Sequence, residues 1–79
     1  MVTGAQIRAA RAALGWSVNI LAEKAGVASK TISRFEEVDG VPPSRSSTLL
    51  DVKSAIEAAG IEFTGSPGNN PGIIIKTED

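Results

Sequence analysis

Cysteine and histidine are both absent from this 79-residue chain. Without them there can be no disulfide cross-link, no thiolate or imidazole metal site, and no catalytic dyad built on either residue. No apolar run approaches the roughly 18 residues of a membrane span, and the N-terminus lacks the basic-then-apolar pattern of a secretory signal. A soluble cytoplasmic protein with no membrane association is therefore expected. No nucleophile–base pair, phosphate-binding loop or metal-ligand cluster is legible, so an enzyme, a cofactor and a small-molecule ligand are not expected. A chain this short is one domain, burying about 60–65% of its unfolded surface, which leaves its stability marginal. Its apolar fraction of 42% is ordinary for a folded domain.

Positive charge is also scarce overall, with a formal net charge of −1. Its distribution is uneven. Residues 1–34 carry Arg8, Arg11, Lys24, Lys30 and Arg34 against Glu23 alone, a net +4, while residues 35–79 carry Arg45, Lys53 and Lys76 against eight acids, a net −5. A basic half is joined to an acidic half, and steering depends on the local field more than on the total.

What the chain does have is clear punctuation. Thr3 and Gln6 have capping-box spacing, Val2 and Ile7 have staple spacing, and Ile7, Ala10, Arg11 and Leu14 recur at helical intervals. A helix over 4–14 is predicted, ended by Gly15. Ser17 is a good N-cap for a second helix that runs to about Ala25 and stops at Gly26, with Trp16 and Leu21 as its staple. A third helix spans 28–37, its apolar side formed by Ile32, Phe35 and Val38. The segment 39–46 (DGVPPSRS) is a loop. One of Ser46, Ser47 or Thr48 should cap a fourth helix, Thr48 having box spacing to Asp51. Leu49, Val52, Ile56 and Ala59 form its buried stripe, and Gly60 closes it.

The tail differs in kind. Residues 61–64 and 72–76 read as an antiparallel strand pair, residues 64–72 as a turn or mobile loop, and residues 76–79 as a frayed end. An isolated hairpin is barely stable, so this one must pack on the helices or on another chain. The chain thus divides into a helical unit, 1–60, and a strand pair with tail, 61–79.

The stretch 17–36, SVNILAEKAGVASKTISRFE, is two amphipathic helices about one glycine, the sequence cue of a helix-turn-helix. Ser17, Leu21, Ala22, Gly26, Val27, Thr31, Ile32, Ser33, Arg34, Phe35 and Glu36 together resemble the Xre/Cro family of bacterial and phage regulators. The likeness covers residues 3–63. It implies a mainly α, four-helix, lambda-repressor-like domain with a C-terminal β-hairpin or dimerising strand. It further implies sequence-specific binding of double-stranded DNA in transcription regulation, as a repressor, with helix 28–37 in the major groove. By carry-over, Ser29, Lys30, Ser33 and Arg34 face the bases, while Asn19, Thr31 and Ser17 face phosphates.

In that family an arginine at the position of Arg11 forms a largely buried ion pair with a glutamate at the position of Glu36. Arg11 also demands such a partner by itself, sitting on an otherwise apolar helix face. Two positions depart from the family pattern: Val18 replaces a common glutamine, and Ala28 replaces the usual Ser or Thr cap. Modest affinity per protomer, with specificity needing two, is the consequence expected. Ile73, Ile74 and Ile75 need burial, either over their own core or against a second copy, and a homodimer is expected.

Trp16 reads as packing before a base-stacking platform, and Glu36, Glu37 and Asp39 as a solvated edge before a metal site. The competing function is an antitoxin-like or adaptor module that uses the same fold for protein contacts.

Overall fold

The computed structural model describes residues 2–66 and 68–76. Within them lie four helices, α1 (Gly4–Leu14), α2 (Val18–Ala25), α3 (Ser29–Glu36) and α4 (Ser46–Ala58), followed by an antiparallel hairpin of β1 (Ile61–Ser66) and β2 (Asn69–Ile75). The frayed end expected at residues 77–79 lies outside the described residues. Lys76 does not fray: its N–H donates to Gly60 O at 2.7 Å and its Nζ sits 3.1 Å from Glu62.

Local chemistry accounts for most element ends. Thr3 Oγ1 accepts from the Gln6 N–H at 3.1 Å while Gln6 Oε1 accepts from the Thr3 N–H at 2.9 Å, a reciprocal cap on α1. Ser17 Oγ accepts from the Ile20 N–H at 3.1 Å and caps α2. Gly15 and Gly26, at φ 69° and 71°, end α1 and α2 in the left-handed conformation.

Helix α4 departs from expectation at both ends. Its N-cap is Arg45, extended at φ −68° and ψ 140°, so Ser46, Ser47 and Thr48 fall inside the first turn and none of them caps. An arginine side chain has no acceptor, hence no side-chain cap forms. Ala59 turns out of the helical path (φ −89°, ψ 2°) and is exposed rather than part of the buried stripe.

The strands are longer than the sequence suggests. Pairing continues past Thr64↔Gly72 to Ser66↔Asn69 through an irregularity in the ladder. Gly65 and Asn70, at φ 72° and 54°, supply the backbone turns that this step needs. Pro71 lacks an N–H, which an edge position tolerates.

The core gathers Ile7 and Ala10 of α1, Leu21 and Ala22 of α2, Ile32 and Phe35 of α3, Leu49, Val52 and Ile56 of α4, with Val2 and Ile61. Phe63 and Ile73, opposite one another in the hairpin, pack against this core from the same chain. Gln6 fastens the lid: its Nε2 donates to Thr64 O at 3.0 Å and to Gly72 O at 2.8 Å, one bond to each strand. Among the described residues, no helix is long and apolar enough to cross a membrane.

Gly4 marks the closest approach in the fold. A Cβ there would lie 1.9 Å from Val38 O and 2.1 Å from Phe35 O, both backbone atoms, while the Gly4 N–H donates to Gly40 O at 2.8 Å. Helix α1 therefore starts directly on the end of α3. Gly4→Ala is expected to lower stability by about 2 kcal/mol or more in thermal denaturation, since overpacking of this kind displaces backbone. Gly40→Ala, whose Cβ would meet nothing within 4 Å, should be tolerated.

Candidate nucleic-acid interface

Helices α2 and α3 are joined by a short turn through Gly26, Val27 and Ala28, in which the Val27 N–H donates to Ala22 O at 3.0 Å. Ala22 is buried, and its methyl lets α3 cross close above α2. Spacing then sorts α3 into two sides. Ile32 and Phe35, three apart, are buried, whereas Lys30, Ser33 and Arg34 are exposed, with Ser29 and Thr31 half-buried at the edges.

Three contacts from α1 hold the C-terminal end of α3. Arg11 Nε meets Glu36 Oε2 at 2.8 Å and its NH2 meets Glu36 Oε1 at 2.9 Å, a bidentate pair, while its NH1 donates to Trp16 O at 3.0 Å. The Glu36 side chain is only 9% exposed and that of Arg11 25%. Hydrogen bonding to Glu36 and the attraction of its charge raise the Arg11 guanidinium above its ordinary pKa, against the opposing effect of burial. One turn earlier, Arg8 donates through NH1 to Glu36 O and through NH2 to Asp39 Oδ1, the latter at 2.6 Å. Gly4 supplies the third contact, against Phe35 O and Val38 O.

The N-terminal end of α3 is held differently. Ala28 is its N-cap and offers no side-chain acceptor. Ser29 Oγ instead donates to Asn19 Oδ1 of α2 at 2.6 Å. Val18, which precedes Asn19 on α2, is half-buried and packs against the core, so the polar bridge between the two helices is made by Asn19.

These pairings revise the charge argument. Arg11 turns inward onto Glu36, Arg8 is paired with Asp39 at the surface, and Lys24 Nζ lies 5.1 Å from the Trp16 ring centroid, a cation–π contact that covers the half-buried indole. The outward positive charge of α3 comes from Lys30 and Arg34, which make no ion pair among the described residues. Within the acidic cluster, Glu36 belongs to Arg11 and Asp39 to Arg8, leaving Glu37 exposed.

Most of the candidate DNA-facing residues belong to α3, and one bond ties them to α2. Ser29, Lys30, Ser33 and Arg34 lie on α3, Asn19 is bonded across to Ser29, and Thr31 stands beside them in α3. Ser17 is at the start of α2, its oxygen engaged as the cap. The three isoleucines divide: Ile73 packs on its own core, while Ile74 and Ile75 remain 48% and 58% exposed.

Gln6, Arg8 and Gly4 escaped the sequence reading as determinants of this arrangement. Arg8 had a signal: Arg8 and Arg11 are three apart, as are Glu36 and Asp39, so two basic positions on one helix stripe face two acids of matching spacing. No protein-family model matches the chain, and no curated protein matches it significantly.

Arg11→Ala would strand a buried Glu36, which costs on the order of 3 kcal/mol. The expected outcome is a large fall in melting temperature with altered Trp16 emission, since Arg11 also holds the Trp16 carbonyl. Arg11→Lys should recover little of it, because an ammonium cannot make the two-pronged contact.

Proposed function

We propose that this chain is a sequence-specific DNA-binding regulator of transcription, acting in the cytoplasm as a homodimer and most simply as a repressor. One observation carries the reading. A short helix has its apolar side sunk in the core, both ends fastened, and an outer side of two cations, unpaired among the described residues, interleaved with serines. Such a surface is slim enough for the major groove, which is about 12 Å wide. Its long cations suit guanine O6 and N7 or phosphates, and its hydroxyls suit base edges.

The exposed side of β2 supports the dimer. Its outward Ile74 and the neighbouring Ile75 are exposed on a two-stranded sheet, an edge that a second copy can cover. A symmetric dimer would present its two α3 helices to half-sites about 34 Å apart, one turn of the duplex.

The second reading, an antitoxin-like or adaptor module, is favoured by a different feature. Leu50, 56% exposed, lines a cleft with Ser46, Leu49 and Lys53 of α4 and with Val2. A protein partner could use it.

Fluorescence anisotropy with a labelled duplex at several salt concentrations separates the two. A regulator that neutralises phosphates loses affinity steeply as salt rises. Lys30→Ala and Arg34→Ala should each weaken binding by about tenfold, while Lys53→Ala on α4 changes nothing. Binding that is absent, or indifferent to Lys30 and Arg34, transfers the assignment to protein contacts. Ile74→Lys should halve the mass seen by light scattering; an unchanged dimer mass would remove β2 from the interface.

A further inference from the structure

A serine hydroxyl has one hydrogen to donate and two lone pairs to accept with. In Ser29 that hydrogen is committed to Asn19 Oδ1 at 2.6 Å, well inside the range for a strong O–H···O bond. The lone pairs are what Ser29 retains for a partner. Asn19, which is exposed, is left with the two N–H donors of its amide. The pair is thus polarised: an acceptor on α3 and a donor on α2.

An approaching phosphate reinforces this polarity. Negative oxygens attract the Asn19 amide N–H groups and repel Oδ1, which keeps Oδ1 turned toward Ser29. Reversing the Ser29 hydroxyl would break the bond and leave Oδ1 facing anions with no donor. The Val18 side chain, packed on the core, offers no alternative partner for either group.

We propose that Asn19 fixes Ser29 as a hydrogen-bond acceptor, so that Ser29 selects an amino-bearing base, adenine or cytosine, and rejects guanine or thymine. In the major groove only adenine N6 and cytosine N4 present donors, whereas guanine and thymine present acceptors, with the thymine methyl beside them. Ser29 then complements Lys30 and Arg34, donors without acceptor capacity that favour guanine. Asn19 is a positioning residue for the base contact and itself donates to phosphate. The inference rests on the DNA-binding reading above.

Selection of bound sequences from a random duplex pool, performed with the full chain and three variants, tests it. The unmodified chain should favour A or C over G or T by about fivefold at one position per half-site, the discrimination of a single hydrogen bond. Ser29→Ala should flatten that position and leave the others intact. Asn19→Ala, by releasing the hydroxyl hydrogen, should flatten the same position as well as weakening binding evenly. Asn19→Asp should bind less well yet keep the preference, because a carboxylate still accepts the Ser29 hydrogen.

Both residues sit at the surface, and an unchanged Trp16 emission spectrum confirms that each variant is folded. A preference that survives Asn19→Ala or Ser29→Ala, or one for G or T, overturns the inference while leaving DNA binding standing. Enrichment of no sequence by the unmodified chain overturns both.

Discussion

The two-pronged bond between Arg11 and Glu36 governs how α3 can be presented. An eight-residue helix is far too short to be stable alone. It cannot be secured from all sides if one side is to stay open. Ile32 and Phe35 anchor its inner side, and the ends must do the rest. Arg11 reaches from α1 to the last residue of α3 and also takes the Trp16 carbonyl, so one guanidinium joins α1, the start of α2 and the end of α3. Burying an ion pair rarely adds much to stability by itself, but stranding one member is costly. The pair thus penalises any arrangement in which α3 shifts along α1.

The remaining contacts serve the same geometry. Gly4 lets α1 begin against the carbonyls that end α3, and Arg8 repeats the Arg11 contact one turn away. At the opposite end, Asn19 and Ser29 join the first turns of α2 and α3, where Ala28 offers no side-chain cap. Farther off, Gln6 couples the start of α1 to both hairpin strands, and the hairpin closes the core over Ile61, Phe63 and Ile73. A chain of 79 residues with neither disulfide nor metal ligand of the Cys or His type has little core to spare. The hairpin adds apolar cover that four short helices alone would lack.

What could be read from the chain was whatever is decided within a few residues. Thr3, Ser17, Gly15 and Gly26 act on backbone groups one to four positions away, so the first two helices and their ends were legible. So was the inward set of α3, because a spacing of three repeats one face. Arg11 betrayed its need for a partner by standing among alanines and isoleucine. The rest depended on neighbours distant in sequence. Gln6 looked like a cap residue, yet its amide N–H groups bond to Thr64 and Gly72, 58 and 66 positions on. Gly4 resembled any small residue until the α3 carbonyls stood beside it. Arg45 displaced the three hydroxyl residues as the cap of α4 because the loop leaves it as the last extended residue, which no local preference announces. Asn70 and Gly65 carried pairing through a stretch whose composition signalled only a loop.

The central claim is that α3, clamped at its ends, is the surface that meets DNA. Amide chemical-shift mapping by NMR during titration with a mixed-sequence duplex at low salt addresses it most directly. Perturbations concentrated on residues 17–20 and 28–34, with α4 residues 50–57 and the outward hairpin face unmoved, are the expected result. Perturbations centred on Leu50 or on Ile74, or none at all at saturating duplex, would contradict it.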